Sequence, residues 1–120
     1  GRIDALEELG DGGMRIIDFK TSDIGDQDSA DKRAKESKQL AIYSLAIKEI
    51  SGELPREVGL FFLMDGIVGS FVPTEGILEK TRESILKASS GIRAQEFEAT
   101  PDKRSCEMCP FSRYCDDSAV

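Results

Sequence analysis

The chain has 120 residues, 39% hydrophobic and 32% charged, the make-up of one ordinary domain with a single core and no room for two. Its net charge of -7 excludes a general basic coat for nucleic acid, so any contact with a phosphate backbone must be local, metal-assisted or shared with other sequence. No stretch is long and apolar enough to span a membrane and no charged leader precedes an apolar run, so a cytoplasmic location is expected.

Arg2 to Leu9 alternates imperfectly and runs into Gly10-Asp11-Gly12-Gly13, residues that tolerate positive φ, so a hairpin is expected with Met14 to Thr21 as its second strand. In that second strand Ile16, Asp18 and Lys20 project to one side, and Ile17, Phe19 and Thr21 to the other. An acid and a lysine two residues apart in an apolar strand are expensive to bury unless paired or bound to an ion. Two readings stand: an ion pair on a solvated edge, or part of a metal site. Register separates them. A two-residue Asp11-Gly12 turn sets Asp4 opposite Phe19 and away from Asp18, whereas an odd loop or a glycine bulge puts Asp4 and Asp18 on one face. The odd loop or bulge is expected.

Residues 22 to 29 are small, acidic and polar and read as a surface loop. From about Ala30 to Ile50 there is neither proline nor glycine, and Leu40, Ala41, Ile42, Leu45, Ala46, Ile47 and Ile50 give a helix-spaced apolar face. Gly52 is the expected C-cap, with Pro55 beyond it. Gln39 and Tyr43 are four apart on this helix and share a face, which by itself is ordinary helix spacing. Val58 to Met64 is a continuous apolar run expected of a central strand covered on both faces, Asp65-Gly66 a turn, and Ile67 to Pro73 a return strand near a sheet edge. Thr74 can N-cap a helix running to about Ser90, with Ile77, Leu78, Thr81, Ile85 and Leu86 inward and Gly91 as its stop. The expected class is α/β, with a mixed central sheet of about four strands, two flanking helices and an irregular cysteine-containing tail.

In that tail Cys106, Cys109 and Cys115 stand in C-x2-C-x5-C spacing, which in an intracellular chain reads as metal or iron-sulfur ligation before disulfide. Three thiols and no histidine leave such a centre one ligand short, so the remaining ligand is expected from outside the chain. A zinc site completed from elsewhere and three unligated thiols are the other readings.

Gly1-Arg2-Ile3-Asp4, then Ile16-Ile17-Asp18-Phe19-Lys20-Thr21, then Gln39-Leu40-Ala41-Ile42-Tyr43, followed by the cysteine tail, together resemble the RecB-like branch of the PD-(D/E)XK nuclease superfamily. The nearest look-alikes are AddB-type exonuclease domains of bacterial helicase-nucleases and CRISPR-associated relatives carrying an iron-sulfur cluster. The resemblance implies a restriction-endonuclease-like core over residues 1-97, corresponding to the C-terminal part of a longer domain, and a cysteine-motif tail over 98-120. It implies that Asp4 and Asp18 bind Mg2+ or Mn2+ with the backbone carbonyl of Phe19, that Lys20 is the catalytic lysine, and that Gln39 and Tyr43 support it. It further implies that Cys106, Cys109 and Cys115 are cluster ligands whose fourth partner lies upstream. The implied activity is a metal-dependent DNA exonuclease of recombination or repair, acting on single-stranded ends with a helicase domain or subunit as partner. A nuclease-fold module without turnover that binds single-stranded DNA, or serves a structural role, is the alternative. A cysteine-tail metal module on an unrelated α/β core is a second, which a wide separation of Asp4 from Asp18 would favour.

Overall fold

The turn at Gly10-Asp11-Gly12 sets the register of the first hairpin. The computed structural model describes residues 1-120, and its first two strands, β1 (Ala5–Glu8) and β2 (Met14–Lys20), pair antiparallel with Ala5 opposite Ile17 and Glu8 opposite Met14. Leu9 and Gly13 close the ladder, leaving an odd loop in which Gly12 takes a positive φ of 80° and Asp11 accepts a hydrogen bond from the Gly13 amide at 2.8 Å. Continuing this register by one residue sets Asp4 opposite Asp18, the parity expected of an odd loop. Strand β1 is shorter than expected: Arg2 to Asp4 lie outside it.

Strand β3 (Glu57–Phe62) runs parallel to β2, and β4 (Ile67–Phe71) pairs antiparallel with β3, giving a mixed four-stranded sheet in the order β1-β2-β3-β4. This α/β arrangement is consistent with a restriction-endonuclease-like core. Strand β3 is central, but it ends at Phe62. Leu63 and Met64, expected within it, fall in the turn and are exposed, and Gly66 there takes a φ of 67°. One side of the sheet carries Ile16, Val58, Leu60, Phe62 and Phe71, buried with Ala30, Ala34, Leu40, Tyr43 and Ile47 of the helices into a single core.

The uninterrupted helix expected over 30-50 is two helices, α1 (Gln27–Lys35) and α2 (Lys38–Ser51). Ser37 makes the break: its backbone is extended and its side chain accepts from the Leu40 amide at 3.2 Å, so it N-caps a new helix rather than continuing the old one. The break puts Lys38 and Gln39 in the first turn of α2. Leu40, Tyr43, Ser44 and Ile47 are its buried stripe, whereas Ile42 and Ile50, expected on the apolar face, are exposed. Gly52 ends the helix at a φ of 80°, its amide donating to the Lys48 carbonyl.

Helix α1 starts earlier than its composition suggested, because Asp26 caps it, accepting from the Ser29 amide at 2.8 Å and the Ser29 hydroxyl at 2.9 Å. These bonds, the amide's first, hold the Asp26 carboxyl below the usual carboxylate range. The cap's contribution is therefore complete above the ordinary carboxylate pKa and is lost as pH falls through the lowered value. Melting temperatures of wild type and Asp26→Ala are expected to differ at neutral pH and to converge in acid. A difference unchanged into strong acid contradicts the capping role.

Helix α1 also closes the outer edge of β4, an edge strand whose free backbone groups need cover. Gln27 Nε2 donates to the Val68 carbonyl at 2.7 Å, and the Ser70 amide donates to Asp31 Oδ1 at 2.9 Å. Gly69, between them, lets the Ala30 backbone lie directly on the strand.

The chain divides into two units, Gly1–Leu86 and Lys87–Val120. Helix α3 (Glu75–Arg93) begins in the first, where the Ile77 amide donates to Thr74 Oγ1 at 3.3 Å and Leu78 is buried. Ile85 and Leu86, expected to face the core, are 41% and 61% exposed. Gly91, expected to stop the helix, lies inside it: one interior glycine costs about 1 kcal/mol, which a helix of this length tolerates. The second unit continues through α4 (Lys103–Met108), N-capped by Asp102, and a short 3-10 turn over Ser112–Tyr114. No helix is long and apolar enough to cross a membrane.

Candidate active site

Asp18 and Lys20 emerge from the core side of β2, and their register partners on β3 are Leu60 and Phe62, both buried. Asp18 is consequently a carboxylate only 3% exposed, walled by apolar side chains. Burial of this kind requires compensation. Lys20 supplies the charge, with Nζ 2.7 Å from Asp18 Oδ2. At that distance the ammonium is both the counter-charge and a hydrogen-bond donor to Oδ2.

Gln39 supplies the other hydrogen bonds. Its Nε2 donates to Asp18 Oδ1 at 2.8 Å while its Oε1 accepts from Lys20 Nζ at 3.0 Å, so one neutral amide holds both members of the ion pair. The same Nε2 donates to the Tyr43 hydroxyl at 2.9 Å, and that hydroxyl in turn donates to the backbone carbonyl of Arg2. Helical spacing makes this possible, since Gln39 and Tyr43 lie one turn apart on α2. The Arg2 carbonyl has no signature in sequence; its part in the network follows only from where the chain enters β1.

Asp4 arrives beside this ring from the same stretch. Its Oδ2 accepts from the Phe19 amide at 3.0 Å, which ties it to the strand between Asp18 and Lys20 and leaves its other oxygen free. The Phe19 side chain points to the opposite side of the sheet, where it meets Phe61 edge-on with ring centroids 6.0 Å apart, so anything Phe19 offers the site comes from its backbone. The structure thus joins Asp18, Lys20, Gln39 and Tyr43 in one network and attaches Asp4 through the Phe19 amide.

The donor set is two carboxylates and peptide oxygens, hard ligands that suit a hydrated Mg2+, which keeps several waters and takes few protein ligands. Nowhere do three or more His, Cys, Asp or Glu side chains converge as a metal site. That holds for the tail: Cys106 lies in α4, Cys109 caps it and Cys115 follows the 3-10 turn, all three as free thiols. Their arrangement does not fit a cluster within this chain. Cys106 Sγ instead accepts from the Ala119 amide at 3.4 Å.

The model of the PD-(D/E)XK nuclease superfamily matches residues 1–116, through the hairpin, the Asp18-Phe19-Lys20 strand and Gln39 into the cysteine tail. The chain belongs to the PD-(D/E)XK nuclease superfamily. Neither the curated proteins nor the solved structures yield a match. Membership makes this a nuclease-type domain and its chemistry a hydrolase's, in a superfamily that typically uses divalent metals. It also gives the mixed sheet a purpose: β2, paired on both sides, presents an acid and a lysine from a rigid element rather than a loop.

Proposed function

We propose that the protein is a divalent-metal-dependent DNA exonuclease domain of the RecB-like branch, working in recombination or repair with a helicase and acting on single-stranded ends in the cytoplasm. The ring formed by Asp18, Lys20 and Gln39 carries this reading, since it places a buried acid, a cation and a neutral clamp at one point of β2. In this reading Asp4, Asp18 and the Phe19 carbonyl hold Mg2+ or Mn2+.

A bound divalent cation supplies charge neutralisation on the phosphoryl oxygens and the leaving group. The protein's part is positioning. The Lys20 ammonium, fixed by Asp18 and Gln39, is set to meet negative charge growing on a phosphoryl oxygen, and because it is already oriented it needs no rearrangement as the reaction proceeds. Gln39 fixes acid and lysine together without adding charge. Tyr43 anchors the Arg2 carbonyl to α2 and so keeps Asp4 beside Phe19.

The free thiols Cys106, Cys109 and Cys115 are proposed as three ligands of an iron-sulfur cluster whose fourth comes from outside the chain, a reading that rests on their spacing alone and requires thiols that stand apart in this structure to draw together on the cluster. Iron analysis and visible absorption of anaerobically purified protein test it, with Cys109→Ala expected to remove both signals. A module that binds single-stranded DNA without turnover is the second reading, since one fold can serve different functions.

The two readings differ in one experiment. Single-stranded DNA labelled at one end or the other, incubated with Mg2+ or Mn2+, is expected to release nucleotides progressively from an end. Retention of intact DNA in a stable complex supports the turnover-free reading and contradicts the exonuclease.

A further inference from the structure

We propose that Arg33 forms a phosphate-binding point beside the centre that takes the DNA backbone next to the scissile phosphate. The inference rests on the nuclease reading and adds to it where the substrate runs.

The chain as a whole is acidic, at -7, yet between Lys32 and Lys38 four basic side chains, Lys32, Arg33, Lys35 and Lys38, stand against one acid, Glu36. All four are exposed and none takes part in an ion pair, whereas Arg15, Lys20, Lys48, Arg56 and Arg82 each do. An acidic protein that grips a polyanion needs such a local concentration of unpaired cations, because attraction to phosphate is carried by the groups near it.

One of the four belongs next to the centre. The Arg33 guanidinium carbon lies 5.7 Å from the centroid of the Phe62 ring, and Phe62 is the register partner of Lys20 on β3. Paired residues of neighbouring strands share a face and stand about 4.8 Å apart, so Arg33 lies one strand over from Lys20 on the same side of the sheet. A cation–π contact of this kind uses no N–H group, and Arg33 has neither an ion pair nor a side-chain hydrogen bond, so its donors remain available to a phosphate, which arginine can take bidentately. Phe62 is fully buried and cannot move, so the guanidinium is oriented in advance. Lys38, although next to Gln39 in sequence, lies by helical spacing opposite the buried Leu40 and Ile47 of α2 and points away from the sheet. Lys32 and Lys35, by helical spacing, lie opposite the buried Ala30 and Ala34 and point away from the sheet.

The test is fluorescence anisotropy of a short fluorescein-labelled single-stranded oligodeoxynucleotide, measured with EDTA to prevent cleavage and repeated over a range of KCl concentrations. Arg33→Gln is expected to weaken binding about tenfold, the scale of a lost hydrogen bond to a charged group. It should also lower the slope of log affinity against log salt by roughly one. Arg33→Lys is expected to recover part of the loss, which keeps the test open should Arg33→Gln fold poorly. Lys80→Glu, an equal charge change to Arg33→Glu on an exposed and unpaired residue of α3, is the control. Unchanged affinity and slope in the Arg33 variants, or an equal loss from Lys80→Glu and Arg33→Glu, overturns the inference. If wild type cleaves DNA while those variants bind normally, this inference alone fails; a wild type that neither binds nor cleaves DNA sinks the nuclease reading as well.

Discussion

Replacing Asp18 by Asn is expected to abolish divalent-cation binding at the centre while leaving the fold standing. The substitution keeps the shape of the side chain, and the Asn carbonyl can still accept from Gln39 Nε2. What disappears is the negative charge facing Lys20 and the hard oxygen offered to a cation. The Lys20 side chain is 31% exposed, so water can take over part of its solvation, and the stability change should stay within about 2 kcal/mol. Titration of Mn2+ into both proteins checks the binding, and thermal melting the fold. Saturable Mn2+ binding of equal affinity in wild type and variant contradicts the placement of the metal at Asp18.

The largest effect on stability is expected at a glycine outside the site. A Cβ added at Gly69 would fall inside the contact distance of the Ala30 carbonyl and 2.8 Å from the Ala30 side chain. The obstruction is helix backbone, which cannot rotate away as the end of a flexible side chain can. Gly69→Ala must therefore lift α1 from β4, loosening the Gln27 and Asp31 bonds to that strand, at a cost of about 3 kcal/mol or somewhat more. Denaturant unfolding measures it. The same change at Gly66, where nothing lies within 4 Å, tests backbone strain alone, because its φ is 67°. A smaller loss at Gly69 than at Gly66 contradicts the packing argument.

What could be read from the sequence was what parity controls. A strand has two faces, so an odd loop between Glu8 and Met14 fixes the parity of the pairing, and the ladder from Ala5 to Glu8 has that parity, with Asp4 one residue beyond it. Gln39 and Tyr43 were legible for a related reason: one helical turn separates them whatever surrounds the helix. The break at Ser37 was harder to see, because a serine among good helix formers weighs little in a periodicity, and only its bond to the Leu40 amide shows that it starts a helix. Ile85 and Leu86 illustrate another limit: spacing says which residues share a face but not whether anything covers it. Arg33 carried no motif at all. Its place beside Lys20 depends on β3 running parallel to β2, a pairing between strands separated in sequence by two helices. The cysteines show the opposite case, a recognisable spacing whose thiols do not converge within the chain.

The most direct measurement is the rate of DNA hydrolysis, with Mg2+ or Mn2+ and with EDTA, by wild type and Lys20→Ala. The variant loses the ammonium held between Asp18 and Gln39 but keeps every residue that offers oxygen to a cation. Removing one preorganised stabilising group costs about 10²–10³ in rate. The expected result is hydrolysis by wild type that requires the divalent ion, with a loss of that order in Lys20→Ala. Equal rates for wild type and Lys20→Ala, or hydrolysis that persists in EDTA, would contradict the assignment of this centre.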